Sequence, residues 1–198
     1  MQRSNIKMQD DKAIGLRVTR QEAYDLAKPR FKNKNLFKHV LAVEAVMIEL
    51  ADYFEQDREL WGLVGLLHDL DYEETVDTPE RHTLVTEELL QPYALAAEII
   101  HAIKCHNNLA EKNSLLDKAL YAADPVTGLI VAAALMHPDK KLKAVDTEFI
   151  LRRFKEKSFA RGANREQIQS CEEMGMSLEQ FLQVALRAMQ KIDQELGL

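Results

Sequence analysis

The sequence predicts an all-α protein. Three observations carry that reading. Apolar residues recur at helical spacing through most of the 198 residues. Ser, Thr, Asp or Asn stands immediately before most of those stretches, where a helix N-terminus needs a side-chain acceptor. Gly and Pro number only seven and five, too few for the turn-dense chain of a sandwich or barrel. No stretch alternates apolar and polar residues as a half-buried strand would. A single compact domain, 1–198, of about eight to ten helices is expected.

The elements follow in order. Thr19-Arg20-Gln21-Glu22 is a capping box and opens a helix toward Phe31. Asn35 can cap a second helix, with Leu36, Val40, Val43, Met47 and Leu50 as its apolar stripe. Asp57 caps a third, which runs to His68-Asp69, and an acidic loop from Asp71 to Asp77 follows. Thr78-Pro79 places an N-cap before a Pro at the first helical position and starts a helix through Leu90. Pro92 opens another, to His106. Ser114 caps a helix ending near Asp124-Pro125, and Val126 to Met136 reads as a separate buried helix stopped by His137-Pro138. Asp146 starts a short helix to Phe154, then a basic loop runs from Lys155 to Arg165. Ser177 to Gln180 is a capping box for a last amphipathic helix reaching Glu195.

Composition narrows the functional classes. No apolar run approaches the ~20 residues needed to span a bilayer, and Met1 to Lys12 is polar, without the apolar centre of a signal peptide. A cytoplasmic protein with no membrane partner is expected. Two cysteines, Cys105 and Cys171, supply neither a disulfide framework nor paired zinc-ligand spacing. The net charge of −6 disfavours a nucleic-acid polymer as partner. The charge is uneven, however. Fourteen acids and two bases lie between Glu44 and Glu88, and nine bases and three acids between Lys140 and Arg165. One half that collects cations and one that collects anions would suit metal-assisted chemistry on a phosphate, although two solvated helix faces of opposite sign would read the same way.

The most informative residues are His68-Asp69. Neighbours on a helix point roughly 100° apart. In the last turn, both can lean toward one point beyond the end, where the negative pole of the dipole favours a cation. Four further ligand-type residues border apolar faces elsewhere: His39, His82, His106 and Asp124. One histidine on such a face is usually an ordinary core residue. A buried carboxylate is rarer, because an unpaired charge costs several kcal/mol. A shared cation accommodates all six, and imidazole with carboxylate suits first-row transition metals.

This pattern resembles the HD superfamily of metal-dependent phosphohydrolases, whose signature is a His, a His-Asp doublet and a distant Asp on helices. Here these are His39, His68-Asp69 and Asp124, in the contexts Leu66-Leu67-His68-Asp69-Leu70-Asp71-Tyr72 and Tyr121-Ala122-Ala123-Asp124. His82 and His106 fit the fuller six-ligand, two-metal form. The resemblance spans roughly 36–131, with helices over 146–195 packing on that core. Many members carry Ile-Gly after the doublet. This chain has Leu70-Asp71, and Asp71 is read as a group that orients a ligand or as a solvated loop residue.

The resemblance implies one or two divalent ions, with Mn, Fe, Co, Ni and Zn all admitted by four His and two carboxylates. It implies hydrolysis of a phosphate ester or phosphoanhydride, on a nucleotide or another small phosphorylated metabolite. Asp69 would bridge the ions, and Glu73 or Glu74 could move a proton. Lys104 could meet phosphate oxygens, as could Lys140, Lys141, Arg152, Arg153, Lys157 and Arg161. Two alternatives keep the same ligands: a metal-stabilised domain that binds a nucleotide or partner without turnover, and a di-iron oxygenase. His101 lies on a more polar helix side and is placed outside the metal site, His137 in a turn, and Cys105 in the core. The last amphipathic helix leaves a homodimer open.

Overall fold

A computed structural model describes residues 18–198. The polar stretch Met1 to Lys12 lies outside the described residues. Within them the chain forms eleven α-helical segments, three with five or fewer residues, and no strand. The all-α expectation holds.

Capping chemistry sets the helix starts. Helix α1 (Arg20–Ala27) begins on the Thr19/Glu22 capping box and stops at a 3₁₀ turn containing Pro29, short of the expected Phe31. Helix α2 (Lys34–Tyr53) is capped by Asn33, which accepts from the Asn35 N–H, two residues ahead of the expected cap. Both asparagines could serve, and the earlier one adds helix length. Helix α3 (Arg58–Leu67) is capped by Asp57 as expected and ends on His68. A four-residue helix, α4 (Tyr72–Thr75), occupies part of the expected acidic loop.

The segment after Thr78 differs from expectation. It is a 3₁₀ turn (Pro79–Arg81) followed by a break, and α5 (Leu84–Leu90) starts only after Thr83, whose φ is +72°. The cause is non-local. The buried Asp71 carboxylate accepts the N–H groups of Thr83 (2.8 Å) and Thr86 (3.0 Å), so it caps α5 from across the fold. His82 therefore stands in the break rather than along a helix face.

Helix α6 (Ala97–His106) packs on α7 (Leu115–Met136), which the Ser114/Asp117 capping box starts. The sequence predicts two helices divided at Asp124-Pro125, but the structure has one. An interior Pro costs about 3 kcal/mol or more. Thirteen buried residues along α7 outweigh that. At 22 residues, α7 is long and apolar enough to cross a membrane by length and composition alone, contrary to the sequence reading. Yet 56% of its apolar window is buried within the fold, as in a core helix. Helix α8 (Thr147–Lys155) follows its Asp146 cap. The basic stretch ends where α9 (Arg165–Gln169) begins, and a further 3₁₀ turn follows. Helix α10 (Leu178–Lys191) starts on the Ser177 box and breaks at Ile192 before α11 (Asp193–Leu196).

Helix α2 is the axis of the core. It packs most extensively on α3 and also meets α7 and α10. Val40, Val43, Met47 and Leu50 are fully buried, each apolar side chain of that kind contributing roughly 1.5–3 kcal/mol. Two buried glutamates on α2 are paired outward. Glu44 accepts two bonds from Arg20 on α1, and Glu49 meets Arg187 and Lys191 on α10.

The α2/α3 crossing generates a prediction. A Cβ on Gly65 would lie 2.8 Å from the Glu44 backbone, whereas one on Gly62 would meet side chains alone, the nearest being Ile48 at 3.0 Å. Gly65→Ala should therefore lower unfolding free energy by about 1–3 kcal/mol, and Gly62→Ala by clearly less. Urea titration of both variants tests the contrast, and equal effects would contradict it.

Candidate metal centre

Two helices end on a histidine in the same way. The last carbonyls of a helix lack intrahelical partners. At the end of α3, His68 Nδ1 bonds the Gly65 carbonyl at 2.8 Å. At the end of α6, His106 Nδ1 bonds the Ile103 carbonyl at 2.5 Å. A carbonyl can only accept, so each Nδ1 carries the proton and each Nε2 keeps its lone pair. Both rings are buried, and both Nε2 atoms face Asp69.

The other two rings are fixed by side chains. His39, on α2, sets Nδ1 3.0 Å from the Thr127 hydroxyl, which itself donates to the Asp124 carbonyl of α7. With its proton so committed, that hydroxyl accepts from His39. His82 Nδ1 donates to Asp71 at 2.8 Å. Asn107, just past α6, donates to the His82 carbonyl at 3.1 Å and steadies the break.

All four Nε2 atoms converge. His39 Nε2 lies 3.1 Å from Asp124 Oδ1 and 3.6 Å from Asp69 Oδ2. His68 Nε2 lies 3.4 Å from the same Asp69 oxygen and 3.9 Å from Asp124 Oδ1. On the opposite side, His82 and His106 Nε2 stand 3.3 and 3.4 Å from Asp69 Oδ1. They lie only 3.2 Å from each other. The Asp69 carboxylate thus divides the centre in two. One half has His39, His68 and Asp124 around Oδ2, and the other has His82 and His106 around Oδ1.

The donor set fits a cation. His68 Nε2 is fully buried and has no hydrogen-bond partner, an arrangement costing roughly 1–3 kcal/mol if nothing else meets it. His82 and His106 face each other nitrogen to nitrogen, an approach that needs a proton or a metal ion between them. Glu44 and Glu49 are each paired with basic side chains, but Asp69 has only imidazoles. The metal-capable groupings include His39, His68 and Asp124 together, and His68, Asp69 and His106 together.

The electrostatics follow from that crowding. Burial pushes the Asp69 carboxyl up, but the imidazoles of His68, His106 and His82 crowded around it outweigh burial and hold it well below its usual range. Burial likewise raises Asp124, and His39 reverses it to a net lowering. His39 is raised overall, since its contact with Asp124 overcomes burial. His82 is lifted to about 9, burial being overcome by Asp69 and Asp71.

Other expected site residues lie elsewhere. Glu73 accepts the N–H groups of Lys32 (3.1 Å) and Asn33 (2.7 Å) at the start of α2, so its carboxylate is spent on a helix end. Lys104 is paired with Glu87 at 2.8 Å. Arg152 pairs with Glu148, while Arg153 pairs with Glu156 and stacks on Phe149 and Phe159. Among the described residues, neither Glu73, Glu74 nor any Lys or Arg lines the cavity of about 480 Å³ over the metal-ligand cluster. That excludes Lys104, Lys140, Lys141, Arg152, Arg153, Lys157 and Arg161 from its wall. The basic stretch contributes Gly162 and Ala163 instead. Arg165 donates to the carbonyls of Phe154, Phe159, Ala160 and Ala163 and so holds that stretch in shape. Sequence reasoning missed Tyr72, Asn107, Asn108 and Gln167, which line the cavity. Only the Asn107-Asn108 pair, directly after His106 at a helix end, carried a local signal.

The metal-ligand cluster falls within a stretch that is similar to known proteins. The HD domain model matches residues 36–129. Among curated proteins, ribonuclease Y of Pelobacter propionicus is 28% identical over 95 residues, 48% of this chain and 18% of that protein. Ribonuclease Y of Geobacter sulfurreducens is 28% identical over 96 residues, again 48% and 18%. Ribonuclease Y of Acidothermus cellulolyticus is 26% identical over 95 residues, 48% and 19%. The matched stretch spans under a fifth of these relatives' length. No solved structure matches significantly.

Two outcomes follow from the geometry. Asp71→Asn removes the charge that orients His82 and should weaken metal binding in that half of the centre ~10–100-fold, read by calorimetric titration; unchanged affinity would contradict the assignment. A proton and a cation also compete for His82. Because its pKa is raised to about 9, the metal-free ring is protonated at neutral pH and must lose a proton on binding. Apparent affinity should therefore rise about tenfold per pH unit above neutrality and level off beyond the raised pKa.

Proposed function

We propose, from the premise that residues 36–129 are an HD domain, that this chain is a metal-dependent phosphohydrolase. Its substrate in this reading is a phosphate ester or phosphoanhydride, on a nucleotide or another small phosphorylated metabolite. The observation that carries the reading is the buried Asp69 carboxylate set between two groups of imidazole nitrogens.

In this account His39, His68, Asp69 and Asp124 would hold one divalent ion, and Asp69, His82 and His106 would hold a second. Mn, Fe, Co, Ni and Zn all suit such donors. Ions there supply Lewis-acid activation of water and neutralise charge on a phosphate. The chain's own contribution is orientation. Gly65, Ile103, Thr127 and Asp71 each hold an Nδ1, so every Nε2 faces inward before an ion arrives. Asn108 accepts from the Tyr121 hydroxyl at 3.0 Å, which leaves its amide N–H groups free to donate. With Asn107 and Gln167 it gives the cavity neutral donors where cationic ones are absent.

That neutral wall bears on the substrate. A polynucleotide-binding groove carries basic side chains along the backbone path, and among the described residues no Lys or Arg lines this cavity. Its volume of about 480 Å³ suits a small ligand. The ribonuclease names of the matched relatives favour a second reading, in which the same centre cleaves an RNA phosphodiester.

Phosphate release from a nucleotide panel, beside cleavage of a labelled RNA, separates the two with Mn²⁺ or Co²⁺ present. The small-substrate reading predicts release from at least one nucleotide and intact RNA. Loss of an outer partner in such sites costs ~10–100-fold, so His68→Ala or Asp69→Ala should exceed that. Activity retained in both variants would place the chemistry elsewhere.

A further inference from the structure

A second cluster of metal-type donors lies outside the centre. His101 and Cys105 sit four residues apart on α6 and so share one face. Asp117 belongs to the first turn of α7, where its Oδ2 accepts the N–H groups of Asn113 (3.0 Å) and Ser114 (2.8 Å). Those bonds lock the carboxylate and leave Oδ1 turned toward His101, at 3.1 Å from Nδ1. The Cys105 sulfur stands 3.5 Å from the same Nδ1. Nδ1, Sγ and a carboxylate oxygen lie within 4.8 Å of one another.

This is not a nucleophilic triad. Such a triad uses the two ring nitrogens separately, one toward the nucleophile and one toward the acid. Here sulfur and carboxylate both approach Nδ1. Three different donors aimed at one point suit a shared cation. Donors held ~2.0–2.3 Å from one tetrahedral ion lie roughly 3.3–3.5 Å apart, close to the 3.1 and 3.5 Å found here.

We propose that His101, Cys105 and Asp117 form a separate site for one thiophilic divalent cation of the zinc type, bound through Nδ1, Sγ and Oδ1. The thiol proton leaves to water on binding. The Glu111 carbonyl, which accepts from the Cys105 thiol at 3.3 Å, would supply an oxygen as the fourth donor. His101 is 40% exposed, which gives an ion a route in, while Asp117 is buried. Sulfur with imidazole selects softer metals than the all-imidazole and carboxylate centre does. The ion would brace the helix that ends on His106 against the start of the helix that carries Asp124.

Cobalt(II) titration of the full chain tests this by absorption. A thiolate bound to cobalt gives a sulfur-to-metal charge-transfer band, and the six-residue centre contains no cysteine to produce one. The only other thiol is Cys171, which is buried. The band should appear in the unaltered protein and in Cys171→Ser, and vanish in Cys105→Ser. His101→Gln, at a half-exposed position, should weaken the cobalt dependence of the band about tenfold or more, with helicity checked by circular dichroism. No band in the folded unaltered protein, a band surviving Cys105→Ser, or a titration unmoved by His101→Gln would each overturn the proposal.

Discussion

One buried carboxylate organises this molecule. Asp69 is 6% exposed and has no lysine or arginine beside it. Its neighbours are four imidazole nitrogens, each belonging to a ring whose other nitrogen is already committed. Those commitments decide the chemistry. If the outer nitrogens were free, the rings could rotate or change tautomer and donate inward. Because Gly65, Ile103, Thr127 and Asp71 occupy them, the inner nitrogens are left to hold a proton or a metal ion against a negative group. That arrangement is electrostatically unfavourable without a proton or a cation, so the affinity for a cation is built into the scaffold.

The scaffold achieves this by using helix ends twice over. At the ends of α3 and α6 a histidine meets the carbonyl left unpaired three residues earlier, and the same bond aims the opposite nitrogen at Asp69. The carbonyl pole of each helix then adds a negative field that favours a cation. Stability and site geometry are therefore coupled at these positions. The close approach of α2 to α3 at Gly65 packs the helix that carries His39 against the one that ends on the doublet.

Much of this was legible in the sequence. Asp57, Ser114, Asp146 and Ser177 cap the helices assigned to them. The six ligand-type residues fall together as expected, although His82 arrives from a break between helical segments rather than from a helix face. What was not legible depends on contacts distant in sequence. Asp71 starts a helical segment by accepting the N–H groups of Thr83 and Thr86, so a helix expected from Thr78 to Leu90 is broken at His82. Glu73 is drawn to the start of α2, some forty residues away. Pro125 reads locally as a terminator, but packing along both halves of α7 overrides it. The basic stretch after Lys140 reads as an anion collector. Instead Arg152 and Arg153 pair with nearby glutamates, and Arg165 is spent on backbone carbonyls.

The central claim is that the two Asp69 oxygens serve two different ions. Diffraction from crystals grown with Mn²⁺, recorded at a wavelength where manganese scatters anomalously, tests it without reference to any substrate. The account predicts two anomalous peaks flanking Asp69, one among His39, His68 and Asp124 and the other beside His82 and His106. A single peak away from Asp69, or none within the ~2.0–2.2 Å reach of its oxygens, would contradict it.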